Sequence, residues 1–458
     1  MLVSGRTPMD PPAVHRRARR ARGRCRARMP ALRRRRAAAA APRATSAPPI
    51  AAQAARGDGS RVHNPPWPRD GSPGTARPRL HARRDSGIST PMRVLFTWDV
   101  RPELRTYLEA GLADTPGVAL VFPRDPSPAD LVDLAPGADV AVGWRPTAEL
   151  LAAATALRLW INPGAGVQHL VPVLRAANAG RAVPVALANG HGNAPFVAQH
   201  AVALLLALTN RIVPHHAWMA AGRWRMGDAE AASIPLAGRT VGLLGYGHVN
   251  RRVHRLLAGF GVDFAILKRS WGAPGAGGSG DEGMRAIGTG GALAAGSTPG
   301  GGLPFEVPPP AATFTPDRLD AFLERVDTVV VAVPETPETT GWIDAAALRR
   351  LGPAGLVVNV ARGPVIVEAD LFAALSQRAI AGAALDVWYD YAPERDADGR
   401  RFPYTAPFHL LDNVVLSPHR AASPLDDLGR WDEAIENIRR AAAGRADWVN
   451  AVDLERGY

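Results

Sequence analysis

Residues 236–269 read LAGRTVGLLGYGHVNRRVHRLLAGFGVDFAILKR, and this stretch decides the fold. The apolar run Val241–Leu244 ends in Gly245-Tyr246-Gly247, and a second apolar run occupies Val262–Leu267. Between the two runs, apolar side chains recur at the spacing of one helix face, at Val249, Val253, Leu256, Leu257 and Phe260. A strand, a glycine turn, a helix and a strand within about thirty residues form the unit that binds the pyrophosphate of a dinucleotide. The stretch therefore predicts a nucleotide-binding unit of an α/β protein.

The glycine turn indicates how this unit would bind a pyrophosphate. Gly245 permits the tight turn, and Gly247 lets backbone N–H groups approach the phosphates at a helix N-terminus, where the helix dipole favours an anion. The other predicted cofactor contacts of the turn are Tyr246, His248 and Val249. Asn250 stands where the fingerprint has its third glycine, so the match is incomplete. The alternative is a glycine turn that merely joins two elements.

The end of the second strand indicates which dinucleotide the unit prefers. NAD-specific folds place an acid there, about twenty residues after the glycines, to bond the ribose 2′-hydroxyl. Here the strand ends at Lys268, the only lysine of the chain, followed by Arg269. Because two cations attract a 2′-phosphate, we predict NADP as the preferred cofactor and NAD as the second choice. The alternative is a pair of solvated side chains at a strand end.

Charge divides the chain into a tail and a body. Residues 1–91 contain 21 Arg and 4 Asp but no Lys or Glu, so they carry +17; the whole chain carries +12, which leaves −5 for residues 92–458. The Arg-, Pro- and Ala-rich tail cannot bury a core and is predicted to be disordered. It could be a transit peptide, a nucleic-acid-binding arm, or upstream sequence read through from an early start. We favour the third, because Met92 opens a clean strand.

Composition also limits which partners the protein can bind and which kinds of site it can contain. Because the body has no basic stripe, nucleic acid is not an expected partner except through the tail. The single cysteine, Cys25, lies in the tail, so the body has no disulfide, thiolate zinc site or cysteine nucleophile, and no metal site is predicted. The longest uncharged run, 182–210, is interrupted by Pro, Gly and Asn, so no membrane span is predicted. We expect a cytoplasmic protein.

The body alternates apolar β-runs with helical stretches from Met92 onward, which is typical of parallel sheets covered on both faces. An almost wholly apolar helix predicted at 197–212 should be buried between domains or in a dimer contact. Residues 271–313 contain 13 Gly in 43 positions, which predicts a flexible insertion. The fold class is therefore predicted to be α/β, with two doubly wound parallel-sheet domains and a cleft between them.

Polar residues follow three predicted strands of the second half, at the sheet edge where open α/β sheets bind ligands. Arg362, in NVARG, presents a guanidinium that suits a carboxylate, or else makes a structural ion pair. His419, in LSPH, is a proton donor near neutral pH, or else a solvated loop histidine. Asp386, in AALDVW, can bind a nicotinamide carboxamide or cap a turn. The sequence contains no kinase-type phosphate loop, HExxH helix or GxSxG elbow.

The order of the motifs is more specific than any one of them. VGLLGYGHV, VPETPETTGWID, LVVNVARG, GAALDVW and NVVLSPH resemble, in that order, the motifs of the D-isomer-specific 2-hydroxyacid dehydrogenase family. The resemblance runs from about Met92 to Tyr458 and includes GAGV at 164–167. It implies a flavodoxin-like substrate domain at 92–197, completed by 425–458, and a Rossmann cofactor domain at 198–424. It also implies a homodimer.

The family resemblance implies roles for individual residues. Arg362 would bind the carboxylate and carbonyl oxygen of a small 2-oxo acid, and His419 would protonate that oxygen. The backbone of Ala165 and Gly166 resembles the loop that binds the substrate carboxylate. Further cofactor contacts are implied at Val333, Pro334, Ala361 and Asp386. The implied reaction is NAD(P)-dependent reduction of a 2-oxo acid to a D-2-hydroxy acid, or the reverse, as in glyoxylate/hydroxypyruvate reductases.

The chain departs from the family pattern beside the catalytic histidine. In relatives, a glutamate about five residues after the position of Asp386 pairs with the histidine, raises its pKa and fixes its tautomer; here that position holds Tyr391. If the loop after Asp386 follows a different path from that of the relatives, another acid could pair with the histidine in place of the glutamate. The candidates are Asp390, Glu394 and Asp396. We favour Glu394. The formate dehydrogenases of the family also lack the glutamate and use a glutamine, and the relatives' AEH is AQH here, with Gln199.

Two other functions remain compatible with the sequence. One is a formate- or phosphite-type dehydrogenase of the same family. The other is an NAD(P)-sensing interaction protein of the co-repressor kind, which the missing glutamate and the basic tail favour. The presence of both Arg362 and His419 favours an enzyme. Which oxo acid binds depends on loop shape, which the sequence does not specify.

Overall fold

The computed structural model describes residues 90–225, 227, 229, 232–271, 307–423 and 427–458. The predictions for the tail up to residue 89, and for residues 272–306 of the predicted insertion, lie outside these residues. The described chain forms two sheets, and every strand pairing in both of them is parallel.

The first sheet has five strands in the order β2-β1-β3-β4-β5, which is the flavodoxin-like order. Its strands are β1 (Met92–Phe96), β2 (Val118–Val121), β3 (Ala138–Val142), β4 (Leu159–Asn162) and β5 (Ala186–Asn189). Helices connect the strands as α1 (Pro102–Leu112), α2 (Pro128–Leu134), α3 (Ala148–Ala153) and α4 (Val171–Asn178). Two separate apolar clusters include side chains of this sheet. The predicted flavodoxin-like domain is confirmed.

The second sheet has seven strands in the order β12-β11-β10-β9-β6-β7-β8. Its strands are β6 (Thr240–Leu244), β7 (Asp263–Leu267), β8 (Ala312–Phe314), β9 (Thr328–Val331), β10 (Leu356–Asn359), β11 (Gly382–Leu385) and β12 (Val414–Leu416). The helices are α5 (Ala194–Thr209), α6 (Ile212–Ala220), α7 (His248–Leu257), α8 (Leu319–Arg325), α9 (Ala345–Leu351), α10 (Glu368–Ser376) and α11 (Asp432–Ala442). The strand order reverses between β6 and β9, which is the Rossmann arrangement, so the second half of the predicted fold is also confirmed.

Burial explains why the central strands are continuous apolar runs. Every residue of β6, β9 and β10 is buried, because helices cover both faces of the sheet and no face is left for polar side chains. The carboxyl ends of β6 and β9 meet at the point where the strand order reverses, which is where open α/β sheets bind ligands. The fold thus places the glycine turn at this edge.

Two helices define how the chain passes between the sheets. α5 packs against α7 and the strands of the second sheet, burying Ala198, Ala201, Leu204 and Leu205 there. The predicted boundary at residue 197 therefore falls inside this helix, which begins at Ala194 with Pro195 in its first turn. α11 returns to the first sheet, where Ile435 and Ile438 join the cluster formed with α1.

The strand β8 corrects the extent of the predicted insertion. It lies within 271–313 apart from Phe314, yet it pairs with β7 and completes the edge of the second sheet. Its three residues are too few to show an alternating pattern, and only Phe314 is buried. The glycine content of 271–313 therefore led to the prediction of an insertion where the structure has a strand.

Among the described residues, no single helix has the length and apolar composition needed to cross a membrane. The pair α5 and α6 meets those two criteria jointly, with a bend of 64° between the helices.

Candidate active site

The glycine turn after β6 has the geometry that a pyrophosphate requires. Gly245 has φ +82°, and a Cβ there would lie 2.8 Å from Cγ1 of Val333 and 2.9 Å from the carbonyl oxygen of Ala332. Gly247 precedes α7 and caps it without a side-chain hydrogen bond, and a Cβ on Gly247 would meet no atom within 4 Å. The helix N-terminus therefore faces open space that an anion can enter, and the residues fit a dinucleotide.

Asn250 compensates for the missing third glycine. Its side chain is fully buried, and its Nδ2 lies 3.2 Å from the carbonyl oxygen of Leu244, 2.6 Å from that of Gly245 and 3.1 Å from that of Val330. The amide thus ties the helix to the ends of β6 and β9. A residue that departs from the fingerprint stabilises the turn by hydrogen bonding rather than by close packing.

A cationic cluster lies at the end of β7, where the ribose 2′ position is predicted. Nζ of Lys268 stands 4.1 Å from the ring centre of Trp271, and partial burial together with the charge of Arg251 lowers the pKa of the lysine. Arg269 donates to the hydroxyl of Tyr458 and lies over its ring. The two predicted residues are therefore on the same edge as Arg251, which sequence reasoning did not single out.

The GAGV loop after β4 is held so that its N–H groups stay available. Asn162 donates to the carbonyl oxygens of Gly164 and Gly166 at 2.5 and 3.0 Å, and Asn189 donates to that of Ala165 at 2.7 Å. Among the described residues, no acceptor takes the N–H of Ala165 or Gly166. These N–H groups suit a carboxylate. The asparagines end β4 and β5, a signal that the sequence reasoning missed.

Arg362 lies directly against this loop, although it comes from the other sheet. A Cβ built on Gly166 would collide with Nη2 of Arg362, so only glycine allows the guanidinium to lie there. Asn359 holds the turn that carries the arginine, because its side chain accepts from the N–H of Ala361 and donates to the carbonyl oxygen of Arg362, both at 3.0 Å. The predicted arginine and the predicted carboxylate loop are thus brought together.

His419 contacts a tyrosine rather than a carboxylate. Its Nδ1 lies 2.8 Å from the hydroxyl oxygen of Tyr391. Burial lowers the pKa of His419, the positive charges of Arg362 and Arg420 lower it further, and Asp386 opposes them.

The structure corrects the choice of Glu394 as the partner of His419. Among the described residues no hydrogen bond joins the two, and Glu394 is exposed. The loop keeps its register, so the residue at the glutamate position of the family, Tyr391, occupies the partner's place.

Asp386 organises the loop that carries His419. It is buried, and its carboxylate accepts the Ser417 hydroxyl at 2.5 Å and the backbone N–H groups of Arg420 and Ala421 at 2.8 and 3.0 Å. His200 of α5 lies 2.9 Å from Oγ of Ser417 and 3.5 Å from the carboxylate. Sequence reasoning missed His200 and Ser417, whose partners are remote in sequence. The predicted carboxamide contact of Asp386 stays a prediction.

A pair of stacked histidines lies at the N-terminus of α7. His248 stacks on His191 with 4.3 Å between ring centres, and burial, aided by the charge of Arg252, lowers the pKa of both. Glu433 of α11 accepts the backbone N–H of His191 at 2.5 Å and that of Gly192 at 3.1 Å. This contact joins the loop after β5 to the predicted phosphate-binding helix.

A protein-family comparison matches the part of the chain that carries the predicted cofactor site. The family described as "D-isomer specific 2-hydroxyacid dehydrogenase, NAD binding domain" matches residues 202–276 and 306–421, which include the glycine turn, Arg362, Asp386 and His419. These two stretches of the chain are therefore similar to the NAD-binding domain of this family. The dehydrogenase family match also covers Tyr391. Among the described residues, no group of three or more His, Cys, Asp or Glu side chains could hold a metal ion.

Curated relatives include dehydrogenases and reductases. The D-3-phosphoglycerate dehydrogenase of Mycobacterium leprae is 28% identical over 314 residues, which cover 68% of this chain and 49% of that protein. Glyoxylate/hydroxypyruvate reductase A of Photorhabdus laumondii is 25% identical over 335 residues, which cover 70% of this chain and 88% of that protein. The chain thus spans about half the length of the phosphoglycerate dehydrogenases it matches.

Solved structures resemble the chain over most of its length. An NADPH-dependent glyoxylate/hydroxypyruvate reductase from Sinorhizobium meliloti, in complex with NADP and malonate, is 25% identical with a TM-score of 0.54 and covers 80% of this chain and 98% of its own. A D-isomer specific 2-hydroxyacid dehydrogenase from Xanthobacter autotrophicus, in complex with NADPH and MES, is 26% identical with a TM-score of 0.58 and covers 81% of this chain and 100% of its own.

Proposed function

We propose that the chain reduces a small 2-oxo acid to a D-2-hydroxy acid with a nicotinamide cofactor. The observation that carries this proposal is the contact of Arg362 with Gly166, which brings a cation to a loop with open N–H groups. Arg362 also acts on the pKa of His419, so the acid/base residue lies within reach of its charge. A carboxylate-binding group and a proton donor therefore converge at the carboxyl ends of the strands.

The residues of the site divide the work of the reaction. The N–H groups of Ala165 and Gly166 and the guanidinium of Arg362 bind the carboxylate, and the same guanidinium polarises the neighbouring carbonyl oxygen. Nε2 of His419 gives that oxygen its proton, since Nδ1 is engaged by Tyr391. The cofactor, when bound, supplies the hydride. Gly247 and the N-terminus of α7 hold its phosphates, and Val333, Pro334 and Ala361 border the same edge of the sheet.

NADP as the preferred cofactor is part of the proposal. The charge of Arg251 lowers the pKa of Lys268, so the two cations lie close enough to attract the same 2′-phosphate. The S. meliloti reductase was crystallised with NADP, which supports this preference. Lys268→Asp combined with Arg269→Ala should shift the ratio of kcat/KM for NADPH over NADH toward NADH by about tenfold or more. An unmodified protein that uses NADH equally well would contradict the preference.

A homodimer is likewise proposed, on the surface of α6. The helix has no buried residue, yet it carries apolar side chains, and Ile212, Val213 and Met219 are more than half exposed. Apolar patches of this kind mark association surfaces. Sedimentation of the full chain should give a dimer, and Val213→Asp combined with Met219→Glu should give a monomer. A monomeric unmodified chain would contradict the dimer.

Turnover assays test the proposed function. NADPH oxidation is followed with glyoxylate, hydroxypyruvate, pyruvate and a bulky 2-oxo acid, and NADP reduction is followed with formate and phosphite. Reduction of at least one oxo acid is expected. Arg362→Lys should lower kcat/KM by about 10- to 150-fold, because a point charge replaces a two-pronged hydrogen-bond donor. His419→Ala should lower kcat by about 10²–10⁴.

The same assays distinguish the alternatives. Turnover with formate or phosphite alone would favour that branch of the family. Cofactor binding without turnover of any substrate would favour an NAD(P)-sensing protein. Arg378→Lys, on an exposed arginine paired with Asp412, is the control and should leave turnover unchanged.

A further inference from the structure

The hydrogen bond between Tyr391 and His419 has two directions open to it, one for each tautomer of the neutral ring. The hydroxyl oxygen of Tyr391 lies 2.8 Å from Nδ1 of His419 and also accepts the backbone N–H of Trp388 at 3.3 Å. A hydroxyl has one proton and two lone pairs. The N–H of Trp388 can only donate, so it occupies one lone pair of the hydroxyl and leaves the hydroxyl proton available for Nδ1.

Neither ionised form of the pair is favoured near neutral pH. Partial burial raises the pKa of Tyr391, the hydrogen bond from Trp388 and the charge of Arg362 lower it, and the charges of Asp386 and Glu335 raise it. The pKa is raised on balance, so the phenol keeps its proton. The charged groups that act on His419 are Arg362 and Arg420, which oppose a positive ring, and Asp386, which favours one. A neutral phenol therefore meets a neutral imidazole.

We propose that Tyr391 is a positioning residue that donates its hydroxyl proton to Nδ1 and so holds neutral His419 in the tautomer protonated on Nε2. Nε2 is the ring nitrogen left for the substrate, since no group among the described residues is hydrogen-bonded to it. A carboxylate in this place would do the opposite: it would take the proton of Nδ1 and leave Nε2 of the neutral ring without one. The predicted effect of Tyr391 on turnover rests on the proposed function. The predicted tautomer of His419 does not depend on it.

The tautomer changes which form of the histidine can act as an acid. During reduction, the N–H bond at Nε2 breaks and an O–H bond forms on the substrate oxygen. Nδ1 takes the proton of Tyr391 at the same time, so the ring stays neutral. Once the product has left, Nε2 takes a proton from water and Nδ1 returns its proton to the phenolate, which restores the starting tautomer. Reduction therefore does not require a charged histidine, whereas oxidation requires Nε2 to lose its proton first.

Imidazole ¹⁵N NMR measures the tautomer directly in the full chain without substrate or cofactor. The protein is labelled at histidine, which occurs 12 times, and the signals of His419 are identified by their loss in His419→Asn. At pH 8 we expect an unprotonated Nδ1 and a protonated Nε2. Tyr391→Glu should reverse this pattern. A protonated Nδ1 in the unmodified protein would overturn the proposal, even if the chain proves to be an active reductase.

The pH dependence of reduction gives the second readout. We expect kcat/KM of the unmodified protein to change less than threefold between pH 6.5 and 8.5. In Tyr391→Glu it should fall about tenfold per pH unit above the raised pKa of the histidine, because a charged ring is then the donor. A tenfold fall per unit above pH 6.5 in the unmodified protein would contradict the proposed tautomer.

A second tyrosine–histidine pair serves as the control that distinguishes a positioning role of Tyr391 from a packing role. Tyr404 contacts Nδ1 of His409 at 3.2 Å outside the site, so Tyr404→Phe removes a similar hydrogen bond. Tyr391→Phe should lower kcat/KM about tenfold, the cost of one hydrogen bond of roughly 1.4 kcal/mol, and give mixed tautomers. Tyr404→Phe should change neither. Equal losses in both variants, or unchanged tautomers in Tyr391→Phe, would overturn the proposal.

Discussion

At Gly166, a hydrogen atom in place of a side chain allows Arg362 to lie across the loop that follows β4. The two residues come from different sheets and are separated by almost 200 positions, so no local pattern couples them. The family resemblance predicted a role for both residues. The structure shows why residue 166 is a glycine: a side chain there would collide with the guanidinium. Its role is close approach, since its φ is not in the left-handed region.

Gly166→Ala should therefore abolish most turnover without unfolding the protein. The added methyl displaces the guanidinium from the carboxylate loop, and we expect kcat/KM for an oxo acid to fall at least as far as in Arg362→Lys, by about 10- to 150-fold. Gly180→Ala is the control, because a Cβ there meets no atom within 4 Å. Wild-type activity in Gly166→Ala, with an unchanged melting temperature, would show that Arg362 does not act from this position.

At the scale of elements, the unit β6–α7–β7 was predicted from sequence with its strands and helix in place, because periodicity and turn chemistry are local. The short edge strand β8 was not, since three residues carry no period. The start of α5 was predicted three residues late; the helix begins at Ala194 with Pro195 in its first turn, a position that proline favours.

The sequence predicted those residues of the candidate site that lie in family motifs. Arg362, His419 and Asp386 follow strands, and strand ends are predictable. The pairing of His419 with Tyr391 was not predicted, because it depends on the path of an irregular loop. The contact between His200 and Ser417 joins residues 217 positions apart, and only the packing of α5 on the sheet brings them together.

Restoring the third glycine of the fingerprint should destabilise this unit. Asn250→Gly removes the amide that bonds to carbonyl groups at the ends of β6 and β9, and it places a glycine in the first turn of α7. We expect a loss of about 2–4 kcal/mol in the free energy of unfolding, measured by urea denaturation. Gly is the family residue here, so an equal or greater stability of Asn250→Gly would show that these hydrogen bonds contribute nothing net.

At the scale of the whole molecule, contacts at the N-terminus of α7 join the two sheets. His191 follows β5 of the first sheet, and His248 begins α7 of the second. Burial, with the charges of His248 and Arg252, lowers the pKa of His191 to about 3. Because the pKa of His191 is lower in the folded protein than in the unfolded chain, only the unfolded ring takes up a proton between pH 6.5 and about 3. Proton uptake then favours the unfolded chain. This contribution to stability is therefore present above pH 6.5 and is lost as the pH falls toward 3.

His191→Phe should remove that pH dependence while keeping the stacked ring. Between pH 7.5 and 5.0 a single such histidine accounts for about 2 kcal/mol of the free energy of unfolding, so the variant should lose about 2 kcal/mol less than the unmodified protein over this interval. Urea denaturation at both pH values measures the difference. His216→Gln, at an exposed position of α6, is the control. Parallel pH curves for His191→Phe and the unmodified protein would contradict the assignment.

Hydride transfer to the substrate carbon tests the central claim most directly. The full chain is given hydroxypyruvate and NADPH deuterated at C4 of the reduced nicotinamide, on either face in separate reactions, and the product is analysed by NMR and chiral chromatography. We expect one of the two labels to appear at C2 of the product, which should be entirely the D-2-hydroxy acid. His419→Ala should give about 10²- to 10⁴-fold less labelled product at equal times. A product of the L configuration, or one without deuterium from either face, would contradict the account.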